Sequence, residues 1–152
     1  MLVIQGKEEL FAKKGQDLGT SEWLLIDQTR INAFADATGD HQFIHVNPEM
    51  AKFTPMGTTI AHGFLTLSLM PVLLDKIWQV NGVKMGINYG TNKVRFASPV
   101  LVNSKIRLKA TLLEIEEVQN GAGVQITVNC VFEIEGQEKP ACIAESLVRL
   151  YF

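Results

Sequence analysis

The stretch that most limits how this chain can fold is Ala61-His62-Gly63 with the apolar run behind it, Phe64 to Gln79. Phe64, Leu65, Leu67, Leu69, Met70, Val72, Leu73, Leu74, Ile77 and Trp78 fall on every face at helical spacing. A helix that is apolar all round is buried in a core or lies in a membrane. Thr66, Ser68, Pro71, Asp75 and Lys76 interrupt the run well short of the ~20 apolar residues a span requires. The pattern therefore predicts a long helix buried in a soluble protein, kinked where Pro71 removes a backbone hydrogen bond. Burial explains the apolar residues but not His62 and Gly63. The first turn of a helix carries free N–H groups and the positive end of the dipole. A glycine there lets a ligand come close to the backbone. The run thus predicts a core and, at its start, an anion-stabilising position.

A chain of 152 residues, 47% hydrophobic and 20% charged, is long enough for one domain with a substantial core, and residues 1–152 are read as that single domain. The balance of 14 basic against 16 acidic residues gives no reason to expect nucleic acid or a membrane surface as a partner. Met1 to Lys14 carries charges throughout and lacks the apolar stretch of a signal peptide, so a cytoplasmic protein is expected. The two cysteines, Cys130 and Cys142, lack metal-site spacing. If their strands form a hairpin through Glu135-Gly136-Gln137-Glu138, the thiols lie nearly opposite each other, reduced in a cytoplasm.

Met1 to Thr20 shows no strong pattern. Trp23 to Ile26 reads as a short strand. Asp27 has the chemistry of an N-cap and Gly39 suits the C-terminal cap, with Ile31, Phe34 and Ala35 at helical spacing between them, so Gln28 to Thr38 is an expected helix. Asp40 to Val46 reads as a loop. Asn47 caps a short helix with Pro48 at its first position, ending near Phe53. After the central helix the signal changes to strands: Lys84 to Phe96; a strand alternating at Ile106, Leu108, Ala110 and Leu112, whose parity shift at Leu113 predicts a bulge; Val124 to Ile134; and Ala141 to Tyr151. Strands joined by short turns pair antiparallel. An antiparallel sheet curving round one apolar helix, an α+β arrangement, buries that helix most economically.

Asp40 and His45 flank four residues, and His62-Gly63 opens the central helix. A carboxylate and an imidazole within reach of one water can orient it and move its protons. A free N–H at Gly63 can bond a carbonyl oxygen that becomes negative in the transition state. These are parts for adding water beside a carbonyl or removing it. The competing reading makes Asp40 a loop-tightening residue and His45 a structural histidine. His41, between polar loop residues, reads as exposed and uninvolved.

Ala37-Thr38-Gly39-Asp40, Ile44-His45 and Gly57-Thr58-Thr59-Ile60-Ala61-His62-Gly63-Phe64-Leu65-Thr66 together resemble the MaoC-like (R)-specific enoyl-CoA hydratases, as do Arg95-Phe96 and Pro99-Val100. The likeness extends from about Trp23 to the end of the chain. It implies the hotdog fold, Asp40 and His45 as the catalytic pair, and the Gly63 N–H as donor to the thioester oxygen. It also implies a homodimer with the site near the subunit interface, and neither cofactor nor metal. The chain departs from the usual family loop at Gln42-Phe43, where Asn-Pro commonly stands, and at Asn47, often Asp.

The expected activity is reversible hydration of trans-2-enoyl thioesters carried by coenzyme A or an acyl carrier protein. Ile44 and His62 are candidate substrate contacts, with Phe43 beside them on the acyl side. Arg95, together with Lys93 and Lys105, is a candidate for the phosphates of coenzyme A. Two rivals remain open on the sequence: an acyl-CoA thioesterase on the same fold, disfavoured because no acid occurs between Gly63 and Asp75, and a non-catalytic acyl-binding domain.

Overall fold

The structure is a computed structural model that describes residues 1–152, the side chain of Gln119 apart. In chain order the elements are β1 (Leu2–Gln5), α1 (Gly6–Ala12), β2 (Asp17–Thr20), β3 (Leu24–Ile26), α2 (Gln28–Thr38), α3 (Phe43–Val46), α4 (Pro48–Ala51), α5 (Gly63–Ser68), α6 (Met70–Leu74), β4 (Trp78–Asn81), β5 (Met85–Phe96), β6 (Ser104–Val118), β7 (Gly123–Ile134) and β8 (Cys142–Tyr151). The main sheet is antiparallel and runs β2-β6-β7-β8-β5, with β3 also pairing to β6. It wraps round α5 and α6, the hotdog arrangement. No helix is long and apolar enough to cross a membrane.

The local signals of α2 are realised in full. The Asp27 carboxylate accepts from the Arg30 N–H at 2.8 Å, and Gly39 ends the helix at φ 80°. Asn47 closes α3 and opens α4, its side chain accepting from the Met50 N–H at 3.1 Å with Pro48 next in line. The bulge lies where the parity shift put it: the β6–β7 register slips between Leu112 and Glu114.

The central helix differs from the expectation. It breaks at Leu69, and the chain leaves it after Leu74, so that Trp78 to Asn81 form β4, parallel to β1. The break precedes Pro71, which has no N–H to continue the ladder. The helical segment is not buried on all sides either. Leu65, Leu69, Leu73 and Ile77, four residues apart, enter a cluster with Leu108, Leu112, Val128 and Phe132. Phe64 and Val72, on the other face, stay 66% and 45% exposed. Full burial of each such Leu contributes about 1.5–3 kcal/mol, so this one face suffices to seat the segment against the sheet.

Two further expectations are corrected. The strands do not all follow as hairpins, because β5 pairs with β8 and not with β6. The connection Ala97–Asn103 crosses the sheet end instead, and the Val100 carbonyl accepts from the Ala61 N–H at 2.8 Å, tying down the approach to α5. The two thiols lie diagonally rather than opposite: Cys130 faces Ala144 and Cys142 faces Phe132. Both are free, and burial pushes Cys130 up to about 12 and Cys142 up to about 11.

Candidate active site

The Asp40–Val46 segment is not wholly a loop. Its second half is the single turn α3, and this turn carries His45 inward, to 7% exposure, while Asp40 stays exposed. Helix α2 holds the turn in place. The Gln28 side-chain N–H donates to the His45 carbonyl at 2.7 Å, and the Thr59 hydroxyl donates to the Gln28 side-chain oxygen at 2.6 Å. Neither Gln28 nor Thr59 stands out in the sequence, because a polar residue in a first helical turn or a connecting segment is ordinary.

The His45 Nδ1–H donates to the Ile60 carbonyl at 2.7 Å. A carbonyl can only accept, so Nε2 is left with its lone pair. Burial, the largest influence, pulls the His45 pKa below the usual histidine value; the Ile60 bond raises it, His62 lowers it and Asp40 raises it. His45 is therefore poised as a neutral base. A carboxylate oxygen of Asp40 and ring nitrogens of His45 and His62 all lie within 4.8 Å of one another. The Asp40 carboxylate also accepts from the Gln42 N–H at 3.3 Å.

His45 and Gly63 stand between two cavities. One, about 260 Å³, is lined by Asp40, His62, Phe34 and Thr38 as well. The other, about 280 Å³, is lined also by Thr66, Phe96 and Pro99. The Gly63 N–H has no hydrogen-bond partner among the described residues. Glycine matters here for space rather than for backbone freedom: a Cβ would sit 3.0 Å from the Phe96 ring, which would have to give way. Phe96 and Thr66 were absent from the sequence-level site. Their i+3 and strand-end positions relative to Gly63 became adjacent only through the fold.

His62, 3% exposed, lies inside the cluster: it donates its Nε2–H to the Asp40 carbonyl at 2.9 Å and stacks on His45 at 3.8 Å. The remaining candidates lie less centrally. Ile44 is half-buried and lines neither cavity; its carbonyl accepts from the Ile60 N–H at 3.0 Å. Arg95 is exposed and, among the described residues, its side chain bonds only the Val94 carbonyl, at 2.8 Å. Lys93 pairs with Glu145 at 3.0 Å and Lys105 with Glu135 at 3.5 Å, on strands at different places in the sheet. Phe43 is 39% exposed. His41 is exposed and pairs with Asp36 at 3.0 Å, which raises its pKa.

The Asp40–His45–His62 cluster has a metal-like composition. One nitrogen on each ring is already committed to a backbone carbonyl, which leaves each ring one nitrogen for any other role. What the arrangement offers is proton transfer by His45, water orientation by Asp40 and an N–H for a developing oxyanion. Another groove, about 500 Å³, lies farther along, by Pro71, Leu74 and Trp78, where Asp75 is the lone ionisable side chain in its lining. The candidate residues Asp40, His45 and Gly63 line the two smaller cavities instead.

Comparison with known proteins gives the family and the fold. The chain is 52% identical over 149 residues, 98% of each chain, to the 3-hydroxyacyl-thioester dehydratase Z of Mycobacterium tuberculosis. It is 45% identical over 141 residues, 91% of this chain and 86% of the other, to nodulation protein N of Rhizobium leguminosarum bv. viciae. The solved (R)-hydratase from A. caviae shares the fold at a TM-score of 0.72 and 23% identity, covering 89% of this chain and 94% of that one. Residues 10–132 match the family described as the MaoC like domain, and the chain belongs to the MaoC-like dehydratase family.

Proposed function

We propose that this protein is a hydro-lyase that interconverts trans-2-enoyl thioesters and (R)-3-hydroxyacyl thioesters. The observation that carries the reading is the convergence of the Asp40 carboxylate, the outward Nε2 of His45 and the unpaired Gly63 N–H on adjoining cavities. The dehydratase name of the 52%-identical relative supports it, and the (R) hand comes from the (R)-hydratase with the same fold.

In the hydration direction Asp40 holds the water and His45 Nε2 takes one of its protons as the oxygen bonds to C3. The C2–C3 π electrons shift toward the thioester, whose oxygen becomes negative and meets the Gly63 N–H. The enolate then collapses and C2 takes a proton from the His45 imidazolium, so that one water is added and the enzyme is regenerated. The step is redox-neutral and these groups handle its protons and charge, so the reading calls for no cofactor and no metal.

Two grooves follow the helical segment away from Gly63. One of about 400 Å³ lies by Leu67, Ser68 and Met70, and the 500 Å³ groove follows; they share Pro71 and Asn88. They offer space for an acyl chain. Arg95, free of any carboxylate among the described residues, suits a phosphate of coenzyme A or of an acyl carrier protein's prosthetic arm. The outer edge of β5 is unpaired over 12 residues, and Met85, Ile87 and Tyr89 on it are exposed, as are Phe64 and Val72 of the helical segment. A long bare edge with apolar side chains favours pairing with a second copy, which supports a homodimer. Two free, buried cysteines on neighbouring strands support a reducing, cytoplasmic setting.

Crotonyl-CoA tests the reading when loss of the enoyl absorbance and release of free thiol are followed in one cuvette. Chromophore loss without thiol is expected. Thiol release that keeps pace with chromophore loss transfers the assignment to a thioesterase, and no change in either signal leaves a binding domain.

A further inference from the structure

His62 has no chemical step in the hydration just described, yet it touches both residues that do. Its ring lies between Phe34, centroids 4.9 Å apart at 52°, and His45, 3.8 Å apart at 24°. Its Nε2–H donates to the Asp40 carbonyl at 2.9 Å, and its Nδ1 is the one buried side-chain polar atom without a partner among the described residues. A buried polar atom left unpaired is unfavourable and unusual. The residue that bears it therefore needs a reason to be an imidazole. An aromatic residue would fill the space without the orphan atom, and an amide would keep the donor without the flat face. Only a ring with a donor does both things seen here: it fixes the main chain of Asp40 at one edge and sets the plane of His45 with its face.

We propose that His62 is a positioning residue that couples Asp40 and His45 into one unit, the first through a hydrogen bond and the second through ring stacking. The proposal rests on the hydratase reading. Its geometric content is specific. The bond from His62 acts on the backbone of Asp40, so it governs where the carboxylate starts from. The stack acts on His45 beside its bond to the Ile60 carbonyl, so the two together leave the His45 ring one orientation, with Nε2 toward the cavities. Asp40, His45 and His62 are the ionisable groups that line the two cavities; α2 contributes Phe34 and Thr38, α5 contributes Gly63, Phe64 and Thr66, and the Ala97–Asn103 connection contributes Ser98, Pro99 and Val100. A change in the pH profile of a His62 variant therefore reports on this pair.

Nitrogen-15 NMR of the imidazoles of the unaltered protein reads the tautomers directly. The expected result is His62 with its proton on Nε2 and His45 with its proton on Nδ1. A His62 proton on Nδ1 overturns the proposal whatever the variants do. Two substitutions then separate the contributions: His62→Phe keeps a stacking ring without the donor, and His62→Gln keeps a donor without the ring. Misplacement of a reacting group by about 1 Å costs on the order of a hundredfold, so kcat is expected to fall about ten- to a hundredfold in each, with KM within about twofold. The acid limb of His62→Gln moves up toward the ordinary histidine value, because the ring that shields His45 has gone. In an Asp40→Asn background His62→Phe adds less than about threefold, since groups acting as one unit are not additive. A merely structural role predicts lower melting temperature, unchanged kcat per folded molecule and an unmoved pH profile, and that pattern, or full additivity with Asp40→Asn, overturns the proposal. Unaltered protein that hydrates no enoyl thioester sinks the hydratase reading itself; an active enzyme with the wrong tautomer sinks only the role of His62.

Discussion

Gly63→Ala probes the contact between the start of α5 and the end of β5 with a single methyl group. The new Cβ would lie 3.0 Å from Cγ and Cδ1 of Phe96 and 3.1 Å from Cδ2. Carbon atoms rest about 3.5–4.0 Å apart, so the ring has to withdraw by a few tenths of an ångström. Overpacking of this kind costs about 1–3 kcal/mol in a closed core. Phe96 is 45% exposed, so its ring can swing outward, which places the cost at the lower end, about 1 kcal/mol. Alanine recovers part of that through its better helix propensity, worth up to ~1 kcal/mol over glycine. The melting temperature should therefore move by less than about 4 °C, given ~2–4 °C per kcal/mol for a chain of this size. Turnover should respond more strongly, because the displaced ring is a wall of the cavity that holds His45 and the Gly63 N–H. A loss of about tenfold in crotonyl-CoA hydration is expected, below the ~100-fold of a 1 Å misplacement. Phe96→Ala removes the overlapping ring atoms, so the double variant should retain more activity than the product of the two single losses by a factor of about two or more. Gly63→Ala with full turnover, or losses that simply multiply, would refute the claim that the Phe96 ring on Gly63 shapes the site.

Two other expectations follow from the same structure. His45 titrates below the ordinary histidine value of about 6.5, because burial disfavours its charged form, and it must be neutral to act as base; the acid limb of kcat/KM should lie below that value, and the stability His45 contributes, present above the unfolded value, should fade as pH drops through its folded pKa. A rate profile whose acid limb lies above the ordinary value would contradict this assignment. The bare β5 edge should be covered by a second copy, so light scattering at micromolar protein should give the mass of a dimer, and Ile87→Lys, which places a charge on that edge, should shift it toward monomer; a wild-type monomer would leave the edge unexplained.

Local chemistry was legible wherever it is written in short-range code. Asp27 and Gly39 bound α2, Asn47-Pro48 starts α4, and the parity shift marks the bulge after Leu112, because each acts through atoms a few residues away. Met1 to Thr20 was not legible, since β1, α1 and β2 each bury a single residue, Ile4, Leu10 and Leu18, and one buried residue makes no period. The central run was over-read for a different reason. Its residues are apolar all round, but the fold buries one face and leaves Phe64 and Val72 exposed, and composition cannot say which face the sheet covers. In the site, Asp40 and His45 were visible from spacing, and the buried state of His45 was not. Gln28, 17 residues away in the chain, bonds the His45 carbonyl and is itself held by the Thr59 hydroxyl, and neither contact is written near His45. For the same reason His45→Gln should cost stability as well as activity, whereas Asp40→Asn, on an exposed residue, should cost activity alone.

The central claim is that Asp40 and His45 act on one water, and hydration turnover of Asp40→Asn, His45→Gln and the double variant, each normalised to folded protein, tests it most directly. The account predicts that each single change lowers turnover by about a hundredfold or more, the scale of lost general acid–base catalysis, and that the double variant is within about threefold of the poorer single one. A double variant reduced by the product of the two losses, or Asp40→Asn with near-normal turnover, would contradict it.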